Sequence, residues 1–144
     1  MEIVNSQCEN PDWISKLVNL KGLSIASTLV SDVTWLKNVK GLQNLTLQDC
    51  PISDLSVLSE HQDISWLKLV DISISDISFI ENYKFLSHLT VIGCPIKDYS
   101  TLLRVPGLSY LEIDQAVADS LDMENIKRHH SQANIVVKQT ITQD

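Results

Sequence analysis

Residues 42–55 read Leu-Gln-Asn-Leu-Thr-Leu-Gln-Asp-Cys-Pro-Ile-Ser-Asp-Leu, with leucine at positions 42, 45 and 47. The same spacing of aliphatic residues starts again at positions 20, 64, 86 and 108, so the chain has a 22-residue period. A fixed period of this length is typical of a solenoid, in which each repeat forms one coil and stacks on its neighbours. The repeat therefore predicts five stacked coils sharing one core.

Each coil is expected to contain one short strand. Leu45 and Leu47 alternate with Asn44, Thr46 and Gln48, and this period of two directs the leucines inward and the polar residues outward. Strands of successive coils then form a parallel sheet. About eleven residues remain for the return path in each repeat, which is room for one 3₁₀ turn but too little for a long α-helix.

An aspartate recurs in four coils, always followed by a hydrophobic-x-x-hydrophobic run. The four residues are Asp32, Asp54, Asp76 and Asp98. Aspartate accepts hydrogen bonds from the free amides at the start of a helix, so we interpret this column as structural capping of the return turns. The alternative, a metal site, requires ligands from other columns, and none is evident.

The pattern Leu-x-x-Leu-x-Leu-x-x-(Cys/Asn)-x-Ile-x-Asp resembles the short leucine-rich repeats of internalin-type bacterial proteins, over residues 1 to about 114. This resemblance implies an α/β fold, a leucine-rich-repeat solenoid in the form of a right-handed β-helix/3₁₀ horseshoe with a parallel concave sheet. It also implies a single domain that binds other proteins, because the family shares binding and no common reaction.

The two ends depart from the repeat. Residues 1–14 are expected to form an N-terminal half-repeat that caps the repeats of residues 15–114, and residues 115–144 a C-terminal cap. In that cap we predict one amphipathic helix over Ser120–His130, started by Asp119 or Ser120, and a last strand in which Ile135 lies beside Ile113. Trp13 and Trp35, which are also one repeat apart, are expected to pack on the convex side.

The outward positions of the strands hold the candidate binding site. Trp66, His88 and Tyr110 fall in one column, which places three flat side chains on adjacent strands. The remaining predicted partner-binding residues extend or surround this aromatic centre: Lys68, Val70, Ile92 and an acidic rim of Asp49, Asp71, Glu112 and Asp114. A continuous patch of this kind favours a protein-binding site. The alternative is that the C-terminal tail folds over these side chains.

Catalysis is not expected. His88 is the best candidate for a general base, with Glu112 nearby, but its outward neighbours include no serine or cysteine. Four glycines are too few for a phosphate-binding loop. The three cysteines form no Cys-x-x-Cys pair, and Cys50 and Cys94 lie two coils apart, so we predict reduced cysteines, no metal and no cofactor.

Composition narrows the class of partner. The formal net charge is −7 and the isoelectric point about 4.9, which disfavours nucleic acid and favours a basic protein. The one basic cluster, Lys127-Arg128-His129-His130, suits a solvated helix end, with partner contact as the alternative. Without a signal segment or an apolar stretch of about 18 residues, the sequence predicts a cytoplasmic chain that binds no membrane.

In its small size, acidic charge, lack of a signal and lack of a catalytic group, the chain resembles the immunity proteins of bacterial toxin systems, many of whose toxins are basic nucleases. This class-level analogy implies a cytoplasmic immunity or inhibitor protein, monomeric when free, that neutralises a basic toxin, such as a nuclease, with its concave face. The alternatives are an adaptor or regulatory subunit that positions a partner enzyme, and an enzyme that uses His88 and Glu112.

Overall fold

The computed structural model describes residues 1–139, so residues 140–144 of the predicted C-terminal cap lie outside the described residues. Its main element is one open sheet of seven parallel strands that follow each other in sequence order. The strands are β1 (Glu2–Ser6), β2 (Gly22–Thr28), β3 (Asn44–Cys50), β4 (Trp66–Ile72), β5 (His88–Ile92), β6 (Tyr110–Asp114) and β7 (Asn134–Lys138). Each strand thus lies beside the next one in the chain, as a stack of coils requires.

The register between β1 and β6 is the 22-residue period itself. Leu45 pairs with Leu67, and Leu67 pairs with Leu89. All three side chains are fully buried, because each strand of the alternating pattern turns its aliphatic side to the same core. The predicted fold, a leucine-rich-repeat solenoid with a parallel concave sheet, is confirmed.

Short 3₁₀ helices form the return path on the convex side. They cover Asp12–Lys16, Thr34–Asn38, Ser56–Glu60, Ser78–Asn82 and Ser100–Leu103. Each buries one aliphatic residue, such as Leu36 or Leu58, at 0% exposure. Trp35 packs in this layer with 6% of its surface exposed, whereas Trp13, in the first coil, is 47% exposed. The convex column is therefore buried at Trp35 and open at Trp13.

At the end of each of the first five strands, the chain turns at a residue whose backbone is in the left-handed conformation. These residues are Asn5, Ser27, Asp49, Asp71 and Gly93, with φ between 47° and 63°. Asparagine, aspartate and glycine tolerate this conformation better than other residues. Asp49 and Asp71 therefore have a structural role in the backbone turn, independent of any role in binding.

The convex layer also contains buried polar side chains that bond to the coil before. The Tyr83 hydroxyl, in a side chain with 0% exposure, donates to the Leu58 carbonyl at 2.7 Å. A His130 ring nitrogen, Nε2, lies 2.7 Å from the Leu102 carbonyl. The Leu58 carbonyl also accepts from the His61 amide at 3.0 Å, so the tyrosine hydroxyl adds a second hydrogen bond there. Both side chains tie one coil to the next.

The C-terminal segment contains two helices, so the prediction of one helix over Ser120–His130 is wrong. Helix α1 (Gln115–Ser120) starts directly after β6, and α2 (Met123–His129) follows a break at Leu121 and Asp122. Asp122 accepts a hydrogen bond from the amide of Asn125. The Asp122 side chain therefore caps the start of α2. A hydrogen bond from an aspartate side chain to the backbone competes with the continuation of α1 through this position.

The last strand pairs out of step with the repeat. Leu111 lies beside Ile135, and Ile113 lies beside Val137. The expected pairing of Ile135 with Ile113 is therefore wrong, because the two helices make the final coil two residues longer than the others. This shift brings Lys138 to the sheet beside Asp114.

Candidate functional site

The three aromatic side chains of the outward column form a stack. Trp66, His88 and Tyr110 are the first residues of β4, β5 and β6, and register places them side by side. The Trp66 and His88 rings are 4.5 Å apart between centroids with an angle of 4°, and His88 and Tyr110 are 5.8 Å apart at 21°. Strands about 4.8 Å apart hold flat side chains at stacking distance.

This aromatic stack is open to solvent. Trp66 is 46% exposed, and His88 and Tyr110 are half-buried. The C-terminal strand β7 adds Asn134 beside Tyr110 and leaves Trp66 uncovered. Within residues 1–139, therefore, no segment seals the aromatic stack.

Polar residues form the next outward row. Thr90 Oγ1 donates to Glu112 at 3.2 Å, and Lys138 Nζ lies 3.3 Å from the same carboxylate. Glu112 is therefore a paired carboxylate. Desolvation raises the pKa of Tyr110, and the negative charge of Glu112 adds to this effect. A hollow of about 370 Å³ lies between this row and the rings, lined by Trp66, Lys68, His88, Thr90, Tyr110 and Glu112.

Lys138 is a site residue that the sequence analysis missed. Under a strict 22-residue register it falls beyond the outward columns, and only the longer final coil brings it next to Glu112. The Asp122 capping residue was the available signal for a second helix and hence for that longer coil.

Val70 and Ile92 lie in the third outward row and are half-buried. Asp114 falls in the same row but does not belong to a rim, because it is only 8% exposed. Its carboxylate accepts from the amides of Val117 and Gly93, both at 3.0 Å. The placement of Asp114 on an exposed acidic rim is thus wrong; the residue caps α1.

Asp49 and Asp71 are exposed but lie near the C-terminal ends of β3 and β4, whereas the aromatic rings lie at the N-terminal ends of their strands. Trp66 begins β4 and Asp71 is five residues further along the same strand, which corresponds to about 16 Å. The Asp71 carboxylate lies over Gly93, where a side chain would collide with it. Asp49 and Asp71 therefore lie apart from the aromatic stack and do not surround it, whereas Glu112 lies beside it.

His88 has a hydroxyl neighbour that the outward columns did not reveal. Ser87 Oγ lies 2.9 Å from His88 Nδ1 and also 3.1 Å from the Ser65 carbonyl. A nucleophile activated by histidine is usually completed by a group that orients the ring, and among residues 1–139 no carboxylate hydrogen-bonds to His88. The contact positions the imidazole within the stack.

The aspartate column lies on the convex side. Asp32, Asp54, Asp76 and Asp98 each accept from the amide two residues later at 2.8 Å. That amide belongs to the first residue of the 3₁₀ helix, so each aspartate lies one position before the helix N-cap. Hydrogen bonds from the Ser56 and Ser100 amides lower the pKa values of Asp54 and Asp98.

The basic cluster divides into an exposed and a buried part. Lys127, Arg128 and His129 are exposed, whereas His130 is 3% exposed. Desolvation lowers the pKa of His130. His130 therefore belongs to the core of the C-terminal cap.

Cys8, Cys50 and Cys94 are free thiols, and the last two are buried. Their Sγ atoms contact backbone carbonyls, as in the 3.0 Å contact between Cys50 and Gln48. Across residues 1–139, no group of three histidine, cysteine, aspartate or glutamate side chains could hold a metal ion.

Comparison with solved structures gives the same fold. The chain matches an internalin (InlF) from Listeria monocytogenes with a TM-score of 0.73 and 22% identity, over 99% of this chain and 48% of that one. Internalin C2 from the same species matches with a TM-score of 0.72 and 22% identity, over 96% and 60%. A plant peptide hormone receptor in complex with RGF2 matches with a TM-score of 0.67 and 11% identity, over 96% and 28%.

These similarities establish the leucine-rich-repeat fold. The chain spans about half the length of the internalin that it matches over 99% of its own residues. No protein-family model matches the sequence, and neither does any curated protein. In the part of the chain that the structure covers, no helix is long and apolar enough to cross a membrane.

Proposed function

We propose that this chain is a non-catalytic protein-binding module that holds its partner against the concave sheet through the aromatic stack of Trp66, His88 and Tyr110. The observation that carries this proposal is the exposure of an ordered ring stack on that face. Large aromatic residues dominate the energetics of protein interfaces, and a solenoid offers them on a continuous surface.

The aromatic stack is not needed to close the hydrophobic core. The core beneath it is closed by the inward residues of the same strands, such as Leu67 and Leu89, which have 0% exposure. When another protein covers exposed aromatic surface of this kind, the burial stabilises the complex. Binding is therefore the function that explains why these residue types occupy outward positions.

The partner that fits best is a basic protein. A net charge of −7 attracts a cationic surface and repels phosphate backbones. Asp49 and Asp71 supply exposed carboxylates near the C-terminal ends of β3 and β4. There they would contact the periphery of a partner that is centred on the aromatic stack. Such charges speed association, while the aromatic stack slows dissociation.

The specific function we propose is that of a cytoplasmic immunity or inhibitor protein that neutralises a basic toxin, such as a nuclease. An inhibitor of this type needs a rigid surface and no catalytic group, and steering by charge suits rapid capture of a basic target. Co-expression of this protein with the product of the neighbouring gene tests the proposal, with growth of the host cells as the measurement. Restored growth is the expected result, and continued toxicity despite a soluble binder would contradict the proposal.

The binding face is tested with two matched tryptophans. Trp66 and Trp13 are 46% and 47% exposed, one on the sheet and one on the convex layer. Capture of the native partner should be lost in Trp66→Ala and retained in Trp13→Ala. Equal retention in both variants would place the binding site elsewhere.

A further inference from the structure

Lys68 lines the hollow next to the aromatic stack and has no anionic partner there. It is half-buried on β4, and register places the uncharged Thr46 and Thr90 beside it. The ion pairs among residues 1–139 are Lys40–Glu60, Arg104–Glu81 and Lys138–Glu112. Lys68 therefore contributes an uncompensated positive charge to the concave face of an otherwise acidic protein.

Glu112 lines the same hollow but is already engaged. Thr90 donates to its carboxylate at 3.2 Å, Lys138 Nζ lies 3.3 Å away, and the Glu112 side chain is 15% exposed. These contacts hold Glu112 on β6, two strands and about 10 Å from the backbone of Lys68. Because Lys138 neutralises Glu112, the charge left over in the hollow is that of the Lys68 ammonium.

A partner bound to the aromatic stack would also cover Lys68. Trp66 and Lys68 are two residues apart on β4 and line one hollow, so a surface that meets the indole takes the ammonium out of water. Covering a charge in this way is strongly unfavourable unless an opposite charge meets it. Within residues 1–139 the flanking threonines are uncharged and Glu112 is paired, so the partner has to supply the counter-charge.

We propose that an acidic side chain of the partner protein enters this hollow and pairs its carboxylate with the Lys68 ammonium. A single ammonium matches the single charge of a carboxylate, whereas phosphate carries more charge and binds where several donors converge. The methylene stem of the acidic residue would pack on the exposed indole of Trp66. This inference rests on the proposed function and adds to it the chemistry of the central contact.

A basic partner can meet this requirement. The net charge of −7 acts at long range on the partner as a whole, whereas the contact with Lys68 is made by one side chain. Asp49 and Asp71 remain available for cations further along β3 and β4. The complementary surface therefore has one carboxylate opposite the hollow and positive charge toward the C-terminal ends of these strands.

The first test compares two peptides of the same shape and different charge, acetyl-Gly-Glu-Gly-amide and acetyl-Gly-Gln-Gly-amide. Each is titrated at low ionic strength into ¹⁵N-labelled protein while the Trp66 indole N–H and the Lys68 backbone amide are followed. The glutamate peptide should bind with an apparent dissociation constant at least about threefold lower than the glutamine peptide. This preference should be lost in Lys68→Met and kept in Lys68→Arg.

Equal affinity for the two peptides, or a preference that survives Lys68→Met, would overturn the carboxylate assignment. Binding of acetyl-Gly-phosphoserine-Gly-amide about tenfold tighter than the glutamate peptide would overturn it in favour of a phosphate group. The spectrum of each variant shows whether it is folded.

The second test uses the captured native partner and two variants that change the net charge equally, from −7 to −8. Lys68→Met removes the ammonium from the hollow, and Lys37→Met removes an exposed one from the convex helix Thr34–Asn38. Lys68→Met should raise the dissociation constant at least about tenfold, because the partner's carboxylate is then buried without its counter-charge. Lys37→Met should change it by less than about twofold.

Unchanged or tighter binding by Lys68→Met would overturn the inference, since an ammonium that meets no anion only opposes association. The proposed function fails separately, through retention of the native partner by Trp66→Ala. Loss of that partner in Trp66→Ala together with unchanged binding by Lys68→Met would keep the binding face and remove only the carboxylate contact.

Discussion

His61 and Tyr83 on the convex layer can be compared with His88 and Tyr110 on the concave sheet. In both pairs a histidine and a tyrosine occur one repeat apart in neighbouring coils. His61 and Tyr83 are 4% and 0% exposed, whereas His88 and Tyr110 are half-buried. The same residue types at the same spacing thus serve the core on one side of the solenoid and form a surface on the other.

The difference lies in what each ring meets. The Tyr83 hydroxyl bonds to a buried carbonyl, and burial raises the pKa of Tyr83 far above its ordinary value. His88 and Tyr110 instead stack on each other and on Trp66. The column that a residue occupies therefore decides whether its removal costs stability or binding, and four measurements probe this contrast.

The largest effect is expected from Tyr83→Ala. Removing a fully buried aromatic side chain leaves a cavity and removes one of the two hydrogen bonds to the Leu58 carbonyl. The free energy of unfolding should therefore fall by about 3–5 kcal/mol. Urea denaturation measures this, with Tyr110→Ala as the matched control that should lose far less. Similar losses in the two variants would mean that the concave tyrosine is a core residue.

Trp66→Ala should have the opposite profile. Its unfolding free energy should change by no more than about 0.5 kcal/mol, because exposed sites contribute little to stability. Affinity for the captured partner, measured by calorimetry, should fall by at least about 2 kcal/mol. Loss of several kcal/mol of stability would show that the stack is needed for folding.

A capping aspartate should give an intermediate effect on stability. Asp76→Ala removes the acceptor for the Ser78 amide at 2.8 Å, and we expect a loss of about 0.5–2 kcal/mol. Asp76→Asn keeps an acceptor and serves as the control, with a smaller loss in thermal unfolding. If alanine and asparagine behave alike, the carboxylate is not acting as a cap.

The smallest effect is expected from mild acid. Desolvation lowers the pKa of His61, with the positive charge of Lys40 adding to this, and desolvation also lowers the pKa of His130. Because the unfolded chain then binds protons more readily than the folded one, stability should fall as pH drops through about 6.5. Between pH 7.0 and 6.5 the loss is at most about 0.3 kcal/mol for each histidine.

Urea midpoints measured at pH 7.0, 6.5 and 6.0 follow this loss. Replacing both His61 and His130 with glutamine should flatten the pH dependence, even if the double variant is less stable at every pH. A dependence of unchanged slope would assign the effect to other groups.

Much of the fold could be predicted because the repeat encodes it directly. A 22-residue period with alternating leucines leaves one arrangement that buries every copy in a common core, and the register of β1–β6 follows from it. The C-terminal register could not be predicted in the same way. Two separate helices, each started by its own aspartate, replaced one expected helix and shifted the pairing of Ile135.

The candidate site was predicted in part. The column of Trp66, His88 and Tyr110 followed from the period alone. The acidic rim failed because sequence position does not show what a carboxylate meets: Asp114 turns to backbone amides, and Glu112 pairs with Lys138.

The sequence by itself determined the coil, the sheet and the columns, since hydrophobic periodicity acts within each repeat and between adjacent copies. Only the tertiary structure decided which charges remain free, where the aromatic stack ends and which histidines are buried. Those properties depend on distances between residues that no period relates, such as Lys138 and Glu112 or His130 and Leu102.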